Sequence, residues 1–323
     1  MISVTFFVLV SIVAPVYNEE QSLHIFVQRL LSVVSSQKPD HKFEIILVDD
    51  GSTDASSTII KEQCASSDLF KGISFTRNFG HQIALFAGIR HASGDVVITL
   101  DSDLQDPPEL IPEMLKKLES GFDVVNAVRS QRDGETLTKR VFAFVFYRLL
   151  KKIVRFDIPL DSGDYRLFSN RVRDLLIRSS EGSQYIRGQI ASFGFKSTDL
   201  QYVRSSRMFG STNYPFRKSL QLAIDAVVSL SGAPLRLVSI AGTLLSLLSP
   251  LMIVTAIALL KILRIDASQS LVVIVALCSS VLAFVLGALA VLSAYVGRLM
   301  FQARRLPLYV IDRTYNFESP VSE

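Results

Sequence analysis

Three polar clusters follow three apolar runs early in the chain. Tyr17-Asn18-Glu19 comes after Val8–Ala14, Asp49-Asp50-Gly51-Ser52-Thr53-Asp54 after Glu44–Val48, and Asp101-Ser102-Asp103-Leu104-Gln105 after Val96–Leu100. Short runs rich in β-branched residues read as buried parallel strands, and open parallel sheets bind ligands at the carboxyl ends of their strands. In the third cluster Asp101, Asp103 and Gln105 put two carboxylates and an amide oxygen at one strand tip. That is a hard-oxygen set suited to Mg²⁺ or Mn²⁺, above all beside substrate phosphates. A lone Asp-x-Asp is a weak signal, since the same acids also cap helices and line solvated loops. Asp106 suits an N-cap here, Pro107 the first helical position and Glu109 a capping-box partner. Three clusters at one sheet edge argue for a nucleotide site. Neither GxGxxG nor GxxxxGK[ST] occurs, so a dinucleotide fold or a P-loop is unsupported.

The elements that must hold these clusters follow from periodicity. After the first strand, Leu23, Val27, Leu30, Leu31 and Val34 share a helical face. A helix from about Ala55, a short strand Gly72–Phe75 ending at Arg77-Asn78-Phe79-Gly80, a helix Gln82–His91 and the strand Val96–Leu100 complete a βαβαβαβ alternation. This predicts an α/β fold: a mainly parallel sheet with helices on both faces and right-handed crossovers. Beyond it come a strand Val124–Val128, a charged loop Arg129–Thr138 and a basic amphipathic helix Lys139–Ile153. Next are Asp157, Asp161 and the run Ser162–Leu167, then a strand near Gly194–Val203. The basic loop Arg204–Tyr214 and an interfacial helix Ser219–Leu230 follow.

The 323 residues exceed one average domain, and their charges are unevenly spread. Leu237–Leu260 and Ala267–Gly297 contain no Asp, Glu, Lys or Arg, and each is longer than the roughly 20 residues that span a bilayer. Two transmembrane helices are therefore expected. Arg217, Lys218 and Arg236 before the first, with Arg298, Arg304, Arg305 and Arg313 after the second, place both termini in the cytoplasm. The expected organisation is a catalytic domain over 1–213, an interfacial helix over 214–233, a two-helix hairpin over 234–299 and a cytoplasmic tail over 300–323. The apolar start lacks a basic region and a cleavage site, so no signal peptide is expected. Cys64 and Cys278 form no metal spacing or disulfide framework, and no pattern for nucleic acid is present. In the tail, alternating faces of Leu306–Phe317 suit a strand added to a neighbouring subunit, so a homo-oligomer is expected.

Taken together, Val13–Glu19, Val48–Asp54, Arg77–His81, Asp101–Pro108, Gly163-Asp164-Tyr165-Arg166-Leu167 and Pro234-Leu235-Arg236 resemble the GT-A-fold family-2 glycosyltransferases. Within these the chain is similar to the polyprenyl-phosphate glycosyltransferases, of the dolichyl-phosphate mannose and bactoprenyl glucosyl types. The resemblance covers the whole chain and rests on the order of its motifs. It implies inverting transfer of a sugar from a nucleotide sugar to polyprenyl phosphate at the cytoplasmic face of a bacterial inner membrane. The metal ligands would be Asp101, Asp103 and Gln105, and the nucleotide set Pro15, Tyr17, Asn18, Glu19, Asp50 and Asp101. Asp50 would accept a hydrogen bond from the base, with Tyr17 and Pro15 packed against it. At neutral pH a phosphate acceptor is largely dianionic and already nucleophilic, so positioning and charge shielding matter more than a base. Arg129, Arg140, Arg166 and Arg207 are the candidate phosphate-binding residues, and Asp157 and Asp164 the orienting or base carboxylates. The chain departs from the family's R-x-x-G-x-[ST]-K-Y loop at Asn213, where Lys is expected; Lys218 or Arg204 would replace that charge.

UDP-glucose is the expected donor and GDP-mannose the alternative. A non-catalytic membrane scaffold with a nucleotide pocket is a second alternative. A processive synthase is disfavoured because its Q-x-x-R-W motif needs a Trp and the chain has none. Two spans are too few for a translocation path, so a separate flippase and a downstream transferase are expected partners.

Overall fold

The computed structural model describes residues 8–37, 41–130, 162–179, 186–204, 233–262, 267–303 and 307–317. The chain divides into two compact units, Met1–Pro215 with Leu306–Glu323, and Phe216–Arg305. In the first, β1 (Val8–Val16), β2 (His41–Asp49), β3 (Phe70–Phe75) and β4 (Val96–Thr99) alternate with α1 (Leu23–Gln37), α2 (Ser56–Ser66) and α3 (His81–His91). A 3₁₀ turn (Pro108–Leu110) leads into α4 (Ile111–Glu119) and β5 (Val124–Arg129). Then come β6 (Ser162–Ser169), α5 (Asn170–Ser179), α6 (Ile186–Ser192), β7 (Ser197–Tyr202) and, far along the chain, β8 (Ile311–Tyr315). Among the described residues these strands form one sheet in the order β7-β5-β6-β4-β1-β2-β3-β8. All run parallel except β6 and β8. The expected α/β fold with a mainly parallel sheet is the observed one.

The strands are apolar on both faces because both faces are covered. Val10, Ile12, Ala14, Ile45, Leu47, Val96 and Ile98 join the core under α1, α2 and α4. Their alternates Val13, Ile46, Val48 and Val97 join a second core with Ala84, Leu85 and Ile89 of α3, Val172 of α5 and Ile186 of α6. This pinning on two sides holds the strand tips in register.

Four details differ from the expectations. The run at Ser162–Leu167 is a strand inserted antiparallel between β4 and β5; its apolar pattern is hidden by Asp164 and Arg166. The tail strand is taken up within its own chain, where β8 pairs with β3. Asp106 is not a helix cap. Pro107 occupies the N-cap of the 3₁₀ turn without a side-chain bond, and Asp106 is wholly buried. Glu109 instead pairs with Arg29 of α1, at 3.0 and 2.7 Å.

In the second unit α7 (Ala233–Ile262) and α8 (Ala267–Ala303) are helical. Among the described residues one stretch, Cys278–Gly297 with mean hydropathy 2.1, is long and apolar enough to cross a membrane; Leu235–Leu245 is a shorter apolar stretch. None of the Cys278–Gly297 window is buried, and Leu282, Leu286 and Leu289 are exposed. The amphipathic helices expected at Lys139–Ile153 and Ser219–Leu230 lie outside the described residues.

Candidate active site

β4 ends in the core, and the loop after it is tied down before it reaches the surface. Ser102 is buried and donates to the Pro15 carbonyl at 2.8 Å, locking the β4 tip to the β1 tip. Leu104 is buried with φ +63°, so its side chain anchors a sharp turn between Asp103 and Gln105. Asp103 Oδ1 accepts the Gln105 amide N–H at 3.1 Å. Asp101 Oδ1 is buried without a hydrogen bond, and the nearest ionic partner is His81 Nε2 at 3.4 Å. Burial lifts the Asp101 pKa, with His81 opposing and Asp106, Asp164 and Asp103 adding. A carboxylate oxygen orphaned in this way fits a divalent cation. No cluster of three His, Cys, Asp or Glu side chains able to hold a metal occurs among the described residues. Two carboxylates and an amide make a partial shell, suited to an ion whose other ligands are water and substrate phosphate.

Because β6 is antiparallel, its start lies at the rim formed by the ends of its neighbours. The pairing Thr99↔Arg166 carries Asp164 beyond the end of β4, close to Asp101. Thr99 Oγ1 donates to the Asp164 carbonyl. The first turn of α3 meets the Asp164 side chain: His81 Nε2 lies 3.2 Å and Gln82 Nε2 2.6 Å from Oδ2. Burial works against the Asp164 charge, yet the His81 hydrogen bond and the charges of His81, Arg187 and Arg166 hold it well below the usual carboxylate range. Desolvation disfavours imidazolium at His81, but Asp164, Asp101 and Asp103 outweigh this and raise its pKa to about 9.

A second network closes the other side. Tyr202, at the end of β7, donates its hydroxyl to Asp106 Oδ1, and Arg204 Nε lies 3.5 Å from the same atom. Arg204 Nη2 is 3.9 Å from Asp103 Oδ2, and Arg129 Nε at the end of β5 reaches the Tyr202 hydroxyl at 3.4 Å. The Tyr165 hydroxyl donates to the Pro107 carbonyl at 2.9 Å. Two arginines are thus held beside the acidic loop. Of the two charges named as replacements for the lysine missing at Asn213, Arg204 is among the described residues and Lys218 is not.

At the tips of β1 and β2 the nucleotide set is built from loop-to-loop bonds. Asn18 has φ +55°; its N–H donates to Ser52 Oγ at 3.1 Å and its Oδ1 accepts Thr53 N–H at 2.8 Å. Glu19 N–H donates to Ser56 Oγ at 2.9 Å, and its carboxylate accepts from Ser22. Tyr17 is 47% exposed, a ring left open at the rim. Asp50 is buried; it accepts Asn78 Nδ2 at 3.0 Å and the Phe79 and Gly80 N–H groups at 2.7 and 3.0 Å. It thus organises the loop that starts α3, and this engages the oxygens expected to receive the base. Gly51 (φ +68°) is required there, since a Cβ would sit 2.3 Å from the Arg77 carbonyl carbon.

The structure brings together Pro15, Tyr17, Asn18, Glu19, Asp50, Asp101, Asp103, Gln105, Arg129 and Asp164 along one rim. Arg166, expected to contact phosphate, is 1% exposed inside the sheet and donates to the Gly163 carbonyl at 3.0 Å. Arg140, Asp157 and Arg207 lie outside the described residues. The contacts of His81, Gln82 and Tyr202, and that of Asp106 with Tyr202, were not anticipated. The signal for the first two was the Arg77-Asn78 tip of β3, a fourth polar cluster at the same edge.

Residues 11–176 match Glycosyl transferase family 2. An uncharacterized glycosyltransferase of Bacillus subtilis (strain 168) is 42% identical over 311 residues, covering 96% of this chain and 95% of that protein. A prophage bactoprenol glucosyl transferase homolog of Escherichia coli (strain K12) is 34% identical over 308 residues, 94% of this chain and 98% of that one. The undecaprenyl-phosphate 4-deoxy-4-formamido-L-arabinose transferase of Pectobacterium atrosepticum is 32% identical, covering 97% and 95%. Together with an acidic Asp-x-Asp loop at the rim of a mainly parallel sheet, these likenesses along the full chain establish that the chain belongs to glycosyl transferase family 2.

Proposed function

We propose that the protein transfers a hexosyl group, glucose from UDP-glucose, to polyprenyl phosphate at the cytoplasmic face of a membrane, with inversion at the anomeric carbon. The observation that carries this reading is the convergence of Asp101, Asp103 and Gln105 with the β1 and β2 tips and two arginines. It is joined by kinship to proteins named for a prenol-type lipid and two different sugars. The lipid class follows from both of these names, and the sugar from the glucosyl relatives.

An oxygen of the acceptor phosphate attacks the anomeric carbon while the bond to the nucleoside diphosphate breaks, and the bonding pair leaves on the β-phosphate. Tyr17 stacks on the base, and Arg129 and Arg204 offset the charge of two anionic partners. Asp101, Asp103 and Gln105 would hold Mg²⁺ or Mn²⁺, which when bound supplies Lewis-acid stabilisation of the leaving diphosphate. α7 and α8, read as two spans with both termini cytoplasmic, keep the catalytic unit where a lipid with a long tail presents its phosphate.

The test supplies membranes holding wild type or Asp103→Ala with undecaprenyl phosphate, Mg²⁺ and labelled UDP-glucose, UDP-galactose, UDP-N-acetylglucosamine or GDP-mannose. Label should enter an organic-extractable lipid from UDP-glucose. Asp103→Ala should lower the rate on the order of a hundredfold or more, matching several kcal/mol of leaving-group stabilisation. Lipid labelling from another donor alone would replace the sugar, and none from any donor would overturn the reading.

A further inference from the structure

Asp164 is held at more points than its place in a strand requires. Its carbonyl accepts from Thr99 of β4, and its Oδ2 receives two side chains from the first turn of α3, His81 Nε2 at 3.2 Å and Gln82 Nε2 at 2.6 Å. A ring nitrogen facing a carboxylate oxygen must carry the proton, so both groups donate. α3 is itself set by Asp50, which takes the Phe79 and Gly80 N–H groups just before the helix begins. The side chain is 16% exposed, and His81 also lies 3.4 Å from Asp101 Oδ1. One imidazole therefore stands between the acid at the tip of β4 and the acid at the start of β6. With Oδ2 pinned by two donors the carboxylate plane cannot rotate, and the direction of Oδ1 is set. Neither contact contributes to the sheet or to either apolar core, and the nucleotide set described above includes neither side chain.

We propose that His81 and Gln82 are positioning residues that fix the orientation of the Asp164 carboxylate at the rim, beside the proposed metal ligands, during transfer. The inference rests on the proposed transfer reaction and adds to it how the acid at the start of β6 is held. Gln82 supplies a neutral donor of fixed reach. His81 supplies a second donor to the same oxygen from a ring that lies between the two acids.

The test uses the full chain in detergent. In steady-state transfer from UDP-glucose to undecaprenyl phosphate, Gln82→Met and His81→Leu should lower kcat about ten- to a hundredfold, the scale of a misplaced group, with donor KM within about threefold. His81→Gln, which returns an N–H near the Nε2 position, should recover most of the loss. Asp164→Asn combined with Gln82→Met should be no slower than Asp164→Asn alone within about twofold, because the two act as a unit. Losses that multiply, that fall on donor KM, or that His81→Gln does not recover would overturn the clamp. A second measurement is independent of turnover: melting temperatures of the metal-free wild type, Gln82→Met, Asp164→Asn and the double variant should be non-additive. If wild type labels no lipid, the transfer reading has failed, and the melting cycle alone decides the clamp. If wild type labels lipid and either cycle is additive, the clamp alone has failed.

Discussion

Glu44 is a buried acid that serves no substrate. Its carboxylate accepts from Ser11 of β1, from the Ser93 N–H and hydroxyl at 2.7 Å each, and from Lys71 of β3 at 2.7 Å, so one side chain ties β1, β2, β3 and the end of α3. Burial pushes its pKa up, but the Lys71, Ser11 and Ser93 bonds outweigh that and leave it lowered. A lowered folded value means the stabilisation is complete above the unfolded pKa, about 4.5, and is lost as pH falls through the folded value. Glu44→Gln should therefore cost about 1–3 kcal/mol at pH 7. The melting temperature should drop by roughly 2–4 °C per kcal/mol, and the gap should narrow as pH falls below the unfolded value and the wild-type carboxylate protonates. Melting curves across pH check this; a gap constant with pH would refute it. Gly94 belongs to the same knot, because a Cβ there would meet Ser11 Oγ at 2.5 Å.

Asn316 does for α2 and β8 what Glu44 does for the sheet. It sits at φ +59° just past β8, and its Nδ2 donates to the carbonyls of Cys64 at 2.6 Å and Phe70 at 2.8 Å. Asn316→Ala loses the bonds and strains the backbone, whereas Asn316→Gly loses only the bonds. The alanine should melt lower than the glycine, each bond being worth about 1 kcal/mol. Equal melting points would show that the left-handed conformation is not retained. At this scale the sequence was legible wherever a strand was apolar on both faces, as in β1, β2 and β4, or a helix carried one stripe, as in α1. It was opaque at β6, where Asp164 and Arg166 interrupt the run, and at Asp106. There a carboxylate in front of Pro107-Pro108 reads locally as a cap, while the Tyr202 hydroxyl that binds it lies 96 residues away in the chain. The acids proposed to hold a metal stood out because their spacing is local. The Asp164 contacts did not, since an antiparallel insertion delivers them.

For the molecule as a whole, β8 changes the standing of the tail. Tyr309 stacks on Phe75 at 5.0 Å, and Thr76 N–H donates to the Val310 carbonyl at 3.1 Å, so residues 307–317 pack into the catalytic unit. A chain ending at residue 305 should expose the β3 edge and be cleaved by protease faster than the full chain. Equal protection would show that β8 is dispensable. β7 ends, and antiparallel β8 begins, on the same rim of the sheet but at its two extremes. Seven strand spacings of ~4.8 Å separate them, about 34 Å. The chain therefore leaves the sheet at one edge strand and returns to it at the other. Loop length itself costs little, about 0.6 kcal/mol per doubling. Reach is what matters: a flexible linker of about 40 residues has an average span near 34 Å, whereas about four residues extend only to roughly 14 Å. Replacing 205–306 by the long linker should give a catalytic unit with β8 docked, and the short linker should leave that strand adrift.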